Sequence, residues 1–149
     1  MHDQNIVHGD LKVQNILVSE DLREVKLCDF GVSRMRRSIL STATSPLNAT
    51  TMLCAPETVT RGDLPTFETD IWAAGCTIVE IYTQRNIWDP PPVTVALNVF
   101  MQTLMNVKRV PHGLEELGRK NVEVASKIEK CLAYDPKVRP SAAELFELW

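Results

Sequence analysis

Nothing in the sequence is arranged to bind a structural metal. Cys28, Cys54, Cys76 and Cys131 are scattered, with no C-x-x-C pair and no zinc-ligand spacing. With no stretch resembling a signal peptide, this points to reduced thiols and an intracellular setting, cytoplasmic or nuclear. Long hydrophobic runs are missing as well. The longest, Ile71 to Tyr82, is too short to span a bilayer and contains Glu80. Charge of one sign is not in excess either, since the net charge is -3. That balance gives no general pull toward nucleic acid or an anionic membrane. The one dense basic cluster, Arg34, Arg36 and Arg37, reads as a solvated loop. Neither internal repeats nor low-complexity blocks occur. What remains is a chain of 149 residues, 44% hydrophobic, enough for one domain with a real core.

Two β-prone runs come early, Ile16-Leu17-Val18 and Val25-Lys26-Leu27. The polar stretch Ser19 to Glu24 between them predicts a hairpin. From Val32 to Met52 the sequence is Ser/Thr-rich, holds Pro46 and Asn48, and shows neither helical nor strand periodicity. A loop of that length in a compact domain is usually functional or disordered. Helical patterns follow. Asp70 is placed to cap a helix in which Ile71, Trp72, Ala74, Ile78, Val79, Ile81 and Tyr82 cover most of the circumference. A helix apolar on nearly every side belongs in the middle of a domain. Asp89-Pro90-Pro91-Pro92 ends helical structure and reads as a stiff connection rather than a ligand for a proline-binding module. Further helices are predicted over Val95–Val107, over about Val122–Leu132, and from Ser141 with Glu144 set for a capping box. His2 and His112 have no motif around them and are expected at the surface. The coarse expectation is α+β, predominantly α-helical, with one small β-hairpin.

Three motifs flank the hairpin and the long loop in a fixed order. They are His8-Gly9-Asp10-Leu11-Lys12-Val13-Gln14-Asn15, then Asp29-Phe30-Gly31, then Ala55-Pro56-Glu57. Each alone would mean little, but their order, spacing and context together are specific. On these residues the chain resembles a eukaryotic-type protein kinase catalytic domain of the Ser/Thr kind, its C-terminal lobe only. Phosphoryl transfer asks a protein mainly to position reactants and to neutralise charge developing on phosphate. The resemblance implies Asp10 as catalytic carboxylate and Lys12 beside the transferred phosphoryl group. It implies Asn15 and Asp29 as oxygen ligands for Mg²⁺ and, with Lys12, as the contacts to ATP. Gly31 would allow the sharp turn after the metal-binding carboxylate. His8 and Phe30 would serve in packing, and Asp70 would hold the catalytic-loop backbone. Glu57 and Arg139 would form a buried ion pair. Thr50, seven residues before Glu57, would touch Asp10 and Lys12, and with Lys12 favours Ser/Thr specificity. Cys28 would line the nucleotide pocket, in the role of a small buried apolar residue. By the same likeness, the catalytic loop is 8–15, the activation segment 29–57 and the helical lobe 70–149.

Some positions depart from the family pattern. Gly9 stands where Arg is usual, and that Arg often grips a phosphorylated activation loop. The expectation is that activation-loop phosphate at the usual position is not required, although Ser38, Ser41, Thr42, Thr44 and Ser45 remain available for modification. Ala49 and Leu53 replace the usual Gly and aromatic residue before Ala55. The glycine-rich phosphate loop, the strand Lys and the helix Glu of the family do not occur in the sequence, so the N-lobe is expected to be absent. Activity would then need that lobe or a partner. Most of the helix that packs beside the central one in the family is expected to be missing too; if its loss uncovers about 300 Å² of apolar surface, roughly 7 kcal/mol of burial is lost, comparable with the stability of a small domain. The chain alone is thus expected to be marginally folded and inactive. Two functions stand side by side. One is transfer of the ATP γ-phosphate to protein Ser/Thr hydroxyls in signalling; the other is a non-catalytic module binding proteins through its helices, chiefly Val95–Val107.

Overall fold

The computed structural model describes residues 1–31, 33–35, 53–85, 87–88, 106 and 111–147, with backbone only at 34 and 35. Predicted features at 36–52 (Thr50 and the five loop hydroxyls among them), the proline run, and nearly all of Val95–Val107 lie outside these residues. Among the described residues the strands come first: β1 (Ile6–Val7), β2 (Ile16–Val18), β3 (Val25–Leu27) and β4 (Arg34–Met35). Helices follow there: α1 (Pro56–Arg61), α2 (Phe67–Thr83), α3 (His112–Lys120), α4 (Val122–Cys131) and α5 (Ala142–Glu147). The fold is mostly helical with small antiparallel β elements.

The β2–β3 hairpin pairs Ile16 with Leu27, Leu17 with Lys26 and Val18 with Val25. Its turn is locked locally: the Ser19 amide donates to the Glu24 carbonyl at 2.9 Å, and the Ser19 hydroxyl accepts from the Glu24 amide at 2.9 Å. The second β pair was not expected. β1 and β4 join antiparallel, Ile6 opposite Met35 and Val7 opposite Arg34. Arg34 and Met35, expected in the long loop from Val32, therefore lie in a strand. Two residues are too few to display alternation, and the partner strand is far away in sequence, so no local pattern announces the pair.

α2 is the central helix. Trp72, Cys76 and Val79 are fully buried, and they pack with Ile87, Leu117 and Ile128 into one core. Its start differs from expectation. Thr66, not Asp70, is the cap: the Thr69 amide donates to the Thr66 hydroxyl at 3.4 Å, and the Thr66 amide donates to the Thr69 hydroxyl at 2.8 Å. A Thr–Thr reciprocal cap leaves the Asp70 carboxylate available to other donors. Helix approach is close enough to require glycine twice. A Cβ on Gly75 would lie 2.9 Å from Cys131 Cβ, and one on Gly113 would lie 2.7 Å from a Val79 methyl. Among the described residues, α1 and α3 are helices that periodicity did not predict. α1 has six residues, opened by Pro56 and closed by left-handed Gly62. α3 buries only Leu114 and Leu117 as large side chains, too sparse a stripe to read. α4 and α5 appear where expected. The Ser141 amide donates to Glu144 at 2.7 Å and the Glu144 amide to the Ser141 hydroxyl at 3.2 Å, which completes the predicted box. No helix among the described residues is long and apolar enough to cross a membrane.

The four thiols are free. Burial pushes the Cys131 thiol up to about 11 and raises that of Cys76 as well.

Candidate active site

The segment after β1 is drawn onto α2 by a single carboxylate. Asp70, 2% exposed, accepts the His8 amide at 2.7 Å on one oxygen and the Gly9 amide at 2.9 Å on the other. Gly9 has φ +80°, a conformation that glycine takes without penalty. The His8 ring is wholly buried. Its Nδ1 accepts the Asp10 amide at 3.3 Å, so its proton sits on Nε2, which donates to the Cys28 carbonyl at 3.1 Å. The ring also packs on Phe30, with centroids 5.0 Å apart. A backbone tie and a side-chain tie thus fix where Asp10 begins.

A 3₁₀ turn over Val13–Asn15 then folds the chain back on itself. The Asn15 amide group donates to the Asp10 carbonyl at 2.8 Å and to the Asp10 carboxylate at 3.1 Å. Lys12 Nζ donates to that same carboxylate oxygen at 2.7 Å. Asp10 and Lys12 are both partly accessible, at 19% and 23% exposure. The hairpin brings the next motif alongside, because the Cys28 amide donates to the Asn15 carbonyl at 2.9 Å. Asp29 follows at once, exposed, with φ +61°. A left-handed Asp costs up to about 1–2 kcal/mol, a local strain that is typical of functional sites. One Asp29 oxygen accepts the Gly31 amide at 3.3 Å. Phe30 is half exposed. Asp10, Lys12 and buried Asn15 are thus joined by side-chain hydrogen bonds, and the hairpin carries exposed Asp29 past them, one residue beyond the Cys28–Asn15 backbone bond.

These residues fit a hard cation bound together with a phosphate ligand. Asn15 spends its NH₂ on Asp10, and its Oδ1 has no protein donor among the described residues. Asp29 keeps an oxygen without a protein partner there. Groups of three or more His, Cys, Asp or Glu suited to a metal are absent among the described residues. Two oxygen ligands from the chain would leave the remaining positions to phosphate and water, as Mg²⁺ prefers.

Behind the site lies a brace. Arg139 donates to both oxygens of Glu57, at 2.7 and 2.9 Å, and also to the carbonyls of Glu68 and Ala133. Its guanidinium lies 5.0 Å from the centre of the Trp72 ring. The end of the 29–57 segment is thereby pinned to α2 and to the approach to α5.

Three residues near the site were not singled out from sequence. The Ser33 hydroxyl donates to the His8 carbonyl at 3.0 Å. Cys54 lies close enough to Asp10 that burial, and then the Asp10 charge, raise its thiol's pKa. His2, expected at the surface, instead places Nε2 3.0 Å from Asp70; His112, expected there too, is only partly exposed. Ser33 and Cys54 carry no signal beyond their place beside a motif.

A mostly helical lobe with this hairpin is laid out like the C-terminal lobe of a protein kinase domain. The family model for the protein kinase domain matches residues 1–148. The chain is 36% identical to the serine/threonine-protein kinase pakG of Dictyostelium discoideum, over 97% of this chain and 12% of that protein. It is 34% identical to serine/threonine-protein kinase 10 of Danio rerio, over 99% and 15%. It is 30% identical to mitogen-activated protein kinase kinase kinase ANP1 of Arabidopsis thaliana, over 99% and 21%. The chain belongs to the protein kinase domain family, and it spans roughly a tenth to a fifth of these relatives' lengths.

Proposed function

We propose that this chain supplies the catalytic loop and metal-facing edge for transfer of the ATP γ-phosphate to protein Ser or Thr hydroxyls, inside the cell. The observation that carries the reading is the hydrogen-bonded group of Asp10, Lys12 and Asn15, with Asp29 following directly on the backbone bond from Cys28 to Asn15. Asp10 orients the substrate hydroxyl and takes its proton as the new P–O bond forms. The bond from the γ-phosphorus to the β-bridging oxygen breaks, and ADP leaves with that electron pair. Lys12 sets a positive charge beside the same carboxylate, where it offsets charge on the transferring group. Asn15 and Asp29 would hold Mg²⁺, which when bound neutralises the phosphate oxygens. Asn15 also fixes the Asp10 backbone and carboxylate together. Ser/Thr rather than Tyr specificity rests on Lys12 and on the names of the relatives.

Transfer is read on the full-length gene product with radiolabelled ATP and a mixed Ser/Thr protein substrate. Label on serine or threonine is expected, with a loss of roughly 10²-fold or more in Asp10→Asn. A folded, nucleotide-binding protein without transfer would favour the interaction-module reading.

A further inference from the structure

We infer that Ser33 is a positioning residue for the catalytic loop, acting on the peptide that joins His8 to Gly9. The inference rests on the reading of Asp10 as the catalytic carboxylate. That peptide carries two polar groups, the His8 carbonyl and the Gly9 amide, and side chains from different parts of the fold hold them. The Gly9 amide donates to Asp70 at 2.9 Å, and the His8 carbonyl accepts the Ser33 hydroxyl at 3.0 Å. Gly9 makes the second tie necessary. Turning the peptide over carries φ of Gly9 from +80° to the negative side, and glycine populates both signs about as readily. The residue itself therefore does not choose the plane that leads into Asp10; its partners do. Ser33 is in turn placed from both sides. β1 and β4 pair Val7 with Arg34 antiparallel, so the next step of the register sets Ser33 opposite His8. There its hydroxyl continues the ladder as a side-chain donor. Its own amide donates to the Phe30 carbonyl at 3.0 Å, closing the turn that follows Asp29. One serine thus links the metal-facing turn to the entry of the catalytic loop.

The test uses the full-length gene product and reads both hydrogen exchange and turnover. Ser33→Ala removes the donor and little else. It should speed exchange at the Gly9 amide roughly tenfold, as expected for one lost hydrogen bond, while α4 amides keep the parent rate. It should also lower kcat by roughly the same factor, with KM for ATP unchanged. Ser33→Thr carries the same hydroxyl and should restore both readings. Parent-like exchange at Gly9 in Ser33→Ala, or no recovery in Ser33→Thr, overturns the assignment. Absence of transfer by the parent protein counts against the Asp10 reading alone, because exchange at Gly9 reports on the Ser33 contact without any chemistry. If Ser33→Ala does not fold, the side-chain couplings of Ser33 in the unaltered protein decide: a single χ1 rotamer supports the contact, and rotamer averaging refutes it.

Discussion

The Glu57–Arg139 pair and the Asp10–Asn15–Asp29 group are both polar, yet they differ in what reaches solvent: Asn15 is as buried as Glu57, at 5% exposure each, whereas Asp10 and Asp29 open to the outside. Arg139 and Glu57 are almost wholly buried, and Arg139 meets two carboxylate oxygens, two carbonyls and the Trp72 ring. At the open edge, Asn15 and Asp29 keep oxygens that no described residue satisfies, and Asp29 holds a left-handed backbone. On the proposed reading, the first set uses polarity for shape and the second leaves it for a ligand.

The widest gap should appear when each set is broken. Arg139→Met strands the buried Glu57 charge and should lower stability by about 3–5 kcal/mol in chemical denaturation. Asp29→Asn tolerates the left-handed backbone and should stay within about 0.5 kcal/mol of the parent. Equal losses would erase the distinction. A purely apolar test comes next. Gly113→Ala forces a methyl against Val79 and should cost about 1–3 kcal/mol, with no effect on the open edge.

The smallest effect concerns Glu80, which belongs to neither set. Burial raises its carboxyl pKa, against a weaker pull from the Ile87 backbone. A carboxyl raised in the folded state binds its proton more tightly there than in the unfolded chain. Its contribution is therefore fully present below the unfolded value and is lost as pH rises through the folded one. Glu80→Gln should thus stabilise the chain at pH 7, with the gain shrinking toward pH 4. A gain that grows on acidification would contradict the sign.

Legibility in the sequence followed the same divide. The open edge is written in contiguous motifs, so Asp10, Lys12, Asn15 and Asp29 could be named from order and spacing, although their roles rest on the resemblance. The hairpin was readable because both strands and the turn are local. The interior was harder. Asp70 was recognised as a partner of the loop, but the helix cap went to Thr66, since a reciprocal Thr–Thr box is only one of several polar patterns that can start a helix. The β1–β4 pair and the His2–Asp70 contact depend on residues about 30 and 68 positions apart in sequence, with no local mark on either side. α3 escaped because two leucines make no stripe.

The claim that matters most is that the open edge holds a divalent ion together with nucleotide. Mn²⁺ with ADP, added to the isotope-labelled chain, should selectively broaden the Asn15 side-chain NH₂ signal and the Cys28-to-Gly31 amides, and Asp29→Asn should abolish the effect. Broadening that needs no ADP, that falls elsewhere on the lobe, or that survives Asp29→Asn would contradict that claim.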